Sequence, residues 1–113
     1  MSYSSGVAGQ SGETEVVSTK TPLTPSAPGY ATVGVTSAQV IGSNANRKGL
    51  VLINDSANKI YLGLGSNAAV LGSGIVIYPS GGVYDMSEYD YVTSAVNAIS
   101  GVGSSNLTIQ EFQ

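Results

Sequence analysis

Apolar and polar residues alternate in short runs along most of the chain, a pattern typical of β-strands. The clearest runs are residues 50–53 and 60–64, which flank a polar segment at residues 54–59. That segment is rich in Asn, Asp and Ser, whose side chains hydrogen-bond to nearby backbone groups and so favour turns. The pattern predicts two strands joined as a β-hairpin, with a loop longer than two residues.

Further runs of the same kind follow residue 30, and each ends at Gly, Asn, Ser or Pro. They predict strands at residues 31–35, 39–42, 74–78, 83–86, 95–100 and 106–112. The segment 89–100 also fits a helical stripe through Val92, Val96 and Ile99, but its β-branched residues favour a strand from residue 95 after a turn at 87–90. Seven or eight short strands predict an all-β fold, a small antiparallel β-sandwich or barrel.

Residues 1–30 have a different composition. The first twelve are rich in Ser and Gly, and Pro22, Pro25 and Pro28 follow within seven positions. Proline fixes φ and lacks an N–H, so this part is neither a helix nor a central strand. One short strand at residues 13–19 is compatible with the pattern. We predict an extended N-terminal arm over residues 1–30 and a β-domain over residues 31–113. Because the arm is so polar, we expect it to become ordered by contact with another subunit.

Composition narrows the function. The 113 residues suit one domain, and only 10% are charged, with a net charge of −3, against about 25% charged residues in typical soluble domains. So few charges suggest either a surface covered by partners or a neutral monomer solvated by Ser, Thr and Asn. Four basic residues are too few for a nucleic-acid footprint. The sequence has neither an apolar run of membrane-spanning length nor a secretory signal pattern. We therefore expect no membrane partner and, given the few basic residues, no nucleic-acid partner.

Candidate catalytic chemistry is sparse, because the chain has neither His nor Cys. The acidic residues Asp85, Glu88 and Asp90 are close enough in sequence for a Ca²⁺ site or a carboxylate pair, although a solvated acidic turn is the favoured interpretation. The Gly-rich runs at residues 63–65 and 72–74 suit bulges and turns better than phosphate binding. We therefore expect no enzyme activity and no cofactor or metal.

Tyrosines are the more informative side chains, since four of them fall within fourteen residues, at positions 78, 84, 89 and 91. Tyrosine combines a large apolar face with a polar tip and is enriched at interfaces. A carbohydrate platform, a subunit interface or core packing would each use such a group. The predicted interface residues, from the arm and the domain together, are Val16, Val17, Leu23, Pro25, Pro28, Tyr30, Tyr78, Tyr84, Tyr89 and Tyr91.

Three motifs carry a resemblance to a known family. These are Asn44-Ala45-Asn46-Arg47 before the apolar run, the IYLGLG run at residues 60–65, and the GIVIYPSGGVY run at residues 74–84. Together they resemble a small β-domain of tailed-bacteriophage structural proteins, over about residues 31–113. The N-terminal arm falls outside this resemblance.

The resemblance implies a non-enzymatic virion protein on the surface of the phage head, of the decoration, cement or head-fibre type. Its partners would be the major capsid protein or other virion subunits, with the arm lying across neighbouring subunits. A homo-oligomer would be usual, and by analogy a trimer. The alternative is a receptor- or glycan-binding tail or fibre module.

Overall fold

The computed structural model describes residues 21–87 and 89–113, and these form two four-stranded antiparallel sheets. The strands are β1 (Gly29–Val33), β2 (Ala38–Ile41), β3 (Gly49–Asn54), β4 (Ile60–Leu64), β5 (Ile75–Ile77), β6 (Gly82–Met86), β7 (Val96–Ser100) and β8 (Ser105–Phe112). The first sheet has the order β1-β8-β3-β6, and the second has the order β2-β7-β4-β5. The all-β prediction is confirmed, and two packed sheets make the fold sandwich-like. The possible strand at residues 13–19, with Val16 and Val17, lies outside the described residues.

The core lies between the two sheets and is built from alternate residues of their strands. In β3, Leu50 and Leu52 are fully buried, whereas Val51 lies on the outer face and is half-buried. This period of two follows from the pleat of a strand, which sends successive side chains to opposite faces. The buried apolar cluster contains Val33, Leu50, Leu52, Ile60, Leu62, Ile77, Met86, Val96, Ala98 and Leu107.

The predicted hairpin is wrong, because its two strands belong to different sheets. Strand β3 pairs with β8 and β6, and strand β4 pairs with β7 and β5. The polar segment 54–59 therefore crosses from one sheet to the other, and six residues easily span the roughly 10 Å between packed sheets. In this arrangement Leu52 of β3 and Leu62 of β4 reach the common core from opposite sides.

The other predicted strands are present, with ends shifted by up to two residues. The helical alternative for residues 89–100 is wrong, since β7 pairs centrally between β2 and β4 and buries Val96 and Ala98. In β8, Leu107 is buried and Ile109 packs against the core, as the alternation predicted. The segment before β7 contains a turn at residues 89–90, inside the range where a turn was predicted.

The described part of the arm has a pairing partner within its own chain. The Thr24 N–H donates to the Gln113 carbonyl at 2.6 Å, and the Gln113 N–H donates to the Thr24 carbonyl at 2.9 Å. Pro25 stands opposite Phe112 in a non-hydrogen-bonded pair of the antiparallel ladder. An N–H at this position would point away from β8, so proline, which lacks one, loses no hydrogen bond to that strand. Residues 24–26 thus extend the edge of the first sheet.

Candidate functional site

Arg47 is fully buried and joins three separate segments of the domain. Its Nε donates to Glu111 Oε2 at 2.7 Å, and its Nη1 donates to the carbonyls of Val92 (3.1 Å) and Ser94 (2.7 Å). Its Nη2 donates to the Gly42 carbonyl at 2.7 Å. A guanidinium with its donors committed to one carboxylate and three carbonyls is a structural anchor and offers little to a ligand.

The same ion pair supports the place where the arm binds. Glu111 accepts from Arg47 through its side chain and from the Ser26 N–H through its carbonyl, the latter at 2.8 Å. Gln110 Nε2 donates to the Ser26 carbonyl at 2.6 Å. We call residues 110–113 the arm seat. The arm seat is therefore fixed from the domain side by Arg47 before the arm adds any contact.

A second polar network holds the crossing between the sheets. Asn54 is fully buried, and its Nδ2 donates to the carbonyls of Asn58 (2.6 Å) and Ile77 (2.9 Å). Its Oδ1 accepts from Ser56 Oγ at 2.6 Å. Asn58 Nδ2 in turn donates to the buried Ser105 Oγ at 3.2 Å. These amides and hydroxyls bond to each other and to the backbone, so the network is structural.

The acidic turn after β6 is closed by its own side chains. Asp90 Oδ1 accepts from the Ser87 N–H at 2.7 Å and from Ser87 Oγ at 2.9 Å, and these hydrogen bonds lower the pKa of the fully exposed Asp90 carboxyl. Glu88 lies outside the described residues. Among the residues that are described, no group of three acidic, His or Cys side chains is placed to hold a metal ion.

The predicted interface tyrosines lie on different elements. Tyr30 lies on β1, Tyr78 follows β5, and Tyr89 and Tyr91 lie in the loop between β6 and β7; Tyr89 is the most exposed, at 82%. Tyr84 instead packs against the core from the edge strand β6, and its pKa is raised by burial and then by the charges of two nearby carboxylates, first Asp90 and then Asp85.

The predicted interface residues of the arm fall into two groups. Leu23 is half-buried, whereas Pro25 and Pro28 are exposed. Val16 and Val17 precede the described residues. The described arm therefore contributes mainly its backbone to contacts with the domain.

The glycine runs serve turns and close packing, as expected from the sequence. Gly65 has a φ of +73°, a left-handed conformation that side chains disfavour. At Gly63 a Cβ would lie 2.5 Å from the Asn67 carbonyl oxygen, because the loop after β4 folds back onto that strand. Gly63 lies in β4 and Gly65 in the turn that follows it, so neither stands between a strand and a helix.

An open groove of about 440 Å³ lies beside the crossing segment, and the sequence did not predict it. Its walls include Asn58, Lys59, Tyr61, Leu71, Pro79 and Val102. Lys59 Nζ lies 5.4 Å from the centre of the Tyr78 ring, a cation–π contact at the rim. The walls come from four separate stretches of chain, so no local motif could have shown the groove.

Comparison of the chain with protein-family models, with curated proteins and with solved structures gives no match. In the part of the chain that the structure describes, no helix is long and apolar enough to cross a membrane.

Proposed function

We propose that this chain is a non-enzymatic structural protein of a virion, a decoration or cement protein that binds and stabilises the head of a tailed bacteriophage. The observation that carries the proposal is the arm: its proline-rich part is laid along an outer edge of the sandwich and is fastened there at residues 24–26. An arm fastened at a sheet edge starts from a fixed point on the domain and can reach a neighbouring subunit.

The distribution of polar groups supports an assembly role. Two strongly polar side chains, those of Arg47 and Asn54, are buried and bonded within the domain. The large apolar side chains that are exposed are tyrosines and aliphatic residues, for example Tyr30, Val83 and Val102. Exposed aromatic and aliphatic surface suits contacts with other proteins.

The proposed partners are the major capsid protein or other virion subunits. The motifs at residues 44–47, 60–65 and 74–84 support this assignment through their resemblance to phage structural domains. The same resemblance suggests a homo-oligomer, with a trimer as the working hypothesis. The proposed location is the surface of the phage head.

Co-sedimentation with heads of the parent phage tests the proposal. We expect the full chain to co-sediment with heads that lack it, and its arm to resist protease only when bound. A variant without residues 1–28 should lose most of the binding, whereas Thr36→Ala, which changes one exposed residue outside the arm, serves as the control. Equal binding by the truncated chain would show that the arm does not anchor the protein to the head. Absence of binding by the full chain would overturn the proposed function.

The groove beside the crossing segment favours a second candidate, a receptor- or glycan-binding tail or fibre module. Tyr61 and Lys59 line the groove, and the Tyr78 ring lies against Lys59 beside it, so an aromatic face and a cation are available to a sugar. Glycan-array screening of the wild type beside Tyr61→Ala and Tyr78→Ala decides this candidate. Signals that the substitutions abolish would support it, and silence across the array would rule it out.

A further inference from the structure

We propose that the arm segment 21–28 leaves the arm seat of its own chain and occupies the arm seat of a second copy, so that copies are joined by exchanged arms. The proposal deepens the assembly role described above and rests on it. It names the surface, residues 110–113, and the partner, an identical chain. Exchange of an identical element is an inexpensive route to an oligomer, because every bond broken within a chain is reformed between chains.

The contacts that hold the arm are few and lie mostly along the backbone. Three backbone hydrogen bonds join Thr24 and Ser26 to Gln113 and Glu111, and one side-chain bond runs from Gln110 to the Ser26 carbonyl. Within residues 21–28 only Leu23 and Ser26 are half-buried, and the rest are exposed. So small a contact opens at a modest cost in free energy, since each hydrogen bond that is lost is replaced by one to water.

A break in the pairing separates the arm from β1. Strand β1 pairs Gly29 with Ile109, whereas Thr24 pairs with Gln113, so the register shifts by one residue between the two stretches. Ala27 and Pro28 occupy this irregular stretch, and both are exposed. The arm can therefore swing away while β1 keeps its pairing with β8, and residues 27–28 act as the hinge.

The arm seat does not depend on the arm for its shape. The Arg47 guanidinium fixes the Glu111 side chain, and the Lys48 N–H donates to the Phe112 carbonyl at 2.8 Å. Strand β3 continues this support, with Gly49 opposite Phe112. A vacated seat would thus present preformed backbone donors and acceptors at a sheet edge, which is where an added strand binds.

The sequence of the arm also limits how far the sheet can grow beyond it. Pro25 stands where a residue's N–H would face outwards, away from the seat, so the bound arm presents one donor fewer along its outer edge. This disfavours addition of a further strand to that edge. The arm therefore closes the sheet, and the partner that fits the seat is one arm from one second copy.

Cysteine cross-linking tests the exchange, because the chain has no Cys of its own. Thr24 and Gln113 exchange both backbone hydrogen bonds, a pairing in which the Cα atoms lie about 5.5 Å apart, within the range a disulfide accepts. Thr24→Cys and Gln113→Cys chains would be mixed in urea, refolded together at high concentration and oxidised. We expect a disulfide heterodimer containing one chain of each variant.

The controls distinguish exchange from chance collision. Val102→Cys mixed with Gln113→Cys measures collisional cross-linking at an exposed site, and the chain carrying both Thr24→Cys and Gln113→Cys tests the register. A heterodimer yield several-fold above the collisional control supports exchange. A yield equal to that control, with the double variant linked only within single chains, overturns it.

Sedimentation of unmodified protein gives a second measurement. The full chain should form a concentration-dependent dimer or larger closed oligomer, and the chain without residues 1–28 should not; a full chain that stays monomeric at every concentration overturns the exchange. Cross-linking without head binding would overturn the proposed function and leave the exchange standing. Head binding without cross-linking would overturn the exchange and leave the proposed function standing.

Discussion

At the scale of single residues, Arg47 is a charged side chain that stabilises the fold. It is fully buried, and its ion pair with Glu111 is supplemented by three backbone carbonyls. Burial removes the guanidinium and most of the Glu111 carboxylate from water at a large cost, which the close geometry and the additional hydrogen bonds offset. The neighbouring Lys48 is exposed, so two adjacent basic residues have opposite environments.

Replacing Arg47 should therefore destabilise the fold strongly. Arg47→Met would leave the Glu111 carboxylate beside an apolar group and three carbonyls without their donor, and we expect a loss of about 3–5 kcal/mol in the free energy of unfolding. Urea denaturation followed by circular dichroism measures it. Lys48→Met, the same substitution at the exposed neighbour, should change stability by no more than about 0.5 kcal/mol. Equal effects of the two substitutions would contradict the anchoring role.

Tyr84 is a second residue with a measurable signature. Burial, then Asp90, then Asp85 raise its pKa in the folded chain above the ordinary value of 10.0, so folding favours the neutral phenol. Its contribution to stability is fully present below that ordinary value and is lost as the pH rises through the raised pKa. Ultraviolet absorbance titration of the wild type should show a late-titrating tyrosine that Tyr84→Phe removes.

Two further variants complete the alkaline titration. Asp90→Asn should move the Tyr84 pKa back towards 10.0, since it removes the first of the two charges. Tyr30→Phe removes one exposed phenol and serves as the control for the loss of a single tyrosine. A late-titrating group that survives Tyr84→Phe would show that the shift belongs to another residue.

At the scale of elements, the segment between β3 and β4 decides how the sheets are connected. Asn54 ends β3 facing the core side, and its amide bonds to Asn58 and to Ile77 of the opposite sheet. That second bond links the two sheets directly. A polar segment suited to a hairpin turn thus functions as a bridge between layers.

Removing the Asn54 amide should loosen this bridge. Asn54→Ala leaves the buried Ile77 carbonyl without its side-chain donor, at about 1–3 kcal/mol, whereas the Asn58 carbonyl keeps Ser56 Oγ as a donor at 3.1 Å. We expect faster hydrogen exchange at residues 56–60 together with a lower free energy of unfolding. Asp55→Ala, at the exposed adjacent position, is the control and should change the hydrogen-exchange rates and the free energy of unfolding only slightly. Unchanged exchange in Asn54→Ala would mean that the crossing is held by the strands alone.

At the scale of the whole molecule, the two sheets share one core and the arm adds to its edge. The buried cluster runs from Val33 to Leu107, so residues 21–28 contribute none of it. Their bonds to the arm seat are peripheral to the sandwich. The domain should consequently fold without its arm, a condition that both the head-binding and the exchange experiments require.

Deletion of residues 1–28 tests that condition directly. The truncated chain should keep one cooperative unfolding transition and the β-sheet circular dichroism of the full chain, and lose about 2–4 kcal/mol of stability with the arm's four hydrogen bonds. Thermal and urea denaturation provide the measurement. Loss of the cooperative transition would show that the arm belongs to the folding unit.

The strand positions were predictable because the alternation of inward and outward side chains is local. Leu107 and Ile109 in β8 illustrate this, since their inward positions follow from a period of two alone. The proline-rich segment was equally readable: its missing donors confine it to an edge, which is where Pro25 lies. The sequence by itself therefore determined the all-β class and the approximate strands, and it excluded a central strand at residues 22–28.

Tertiary structure alone decided which strands share a sheet. A strand with one apolar face has the same pattern whether its neighbour in sequence lies beside it or across the core, so the crossing at residues 54–59 could not be told from a hairpin. The burial of Arg47 likewise depends on segments that are far apart from one another in sequence, those of Gly42, Ser94 and Glu111. The groove depends on four separate stretches of the chain. Periodicity reports the local geometry of the backbone, whereas partners across sheets are chosen by long-range packing and hydrogen bonding.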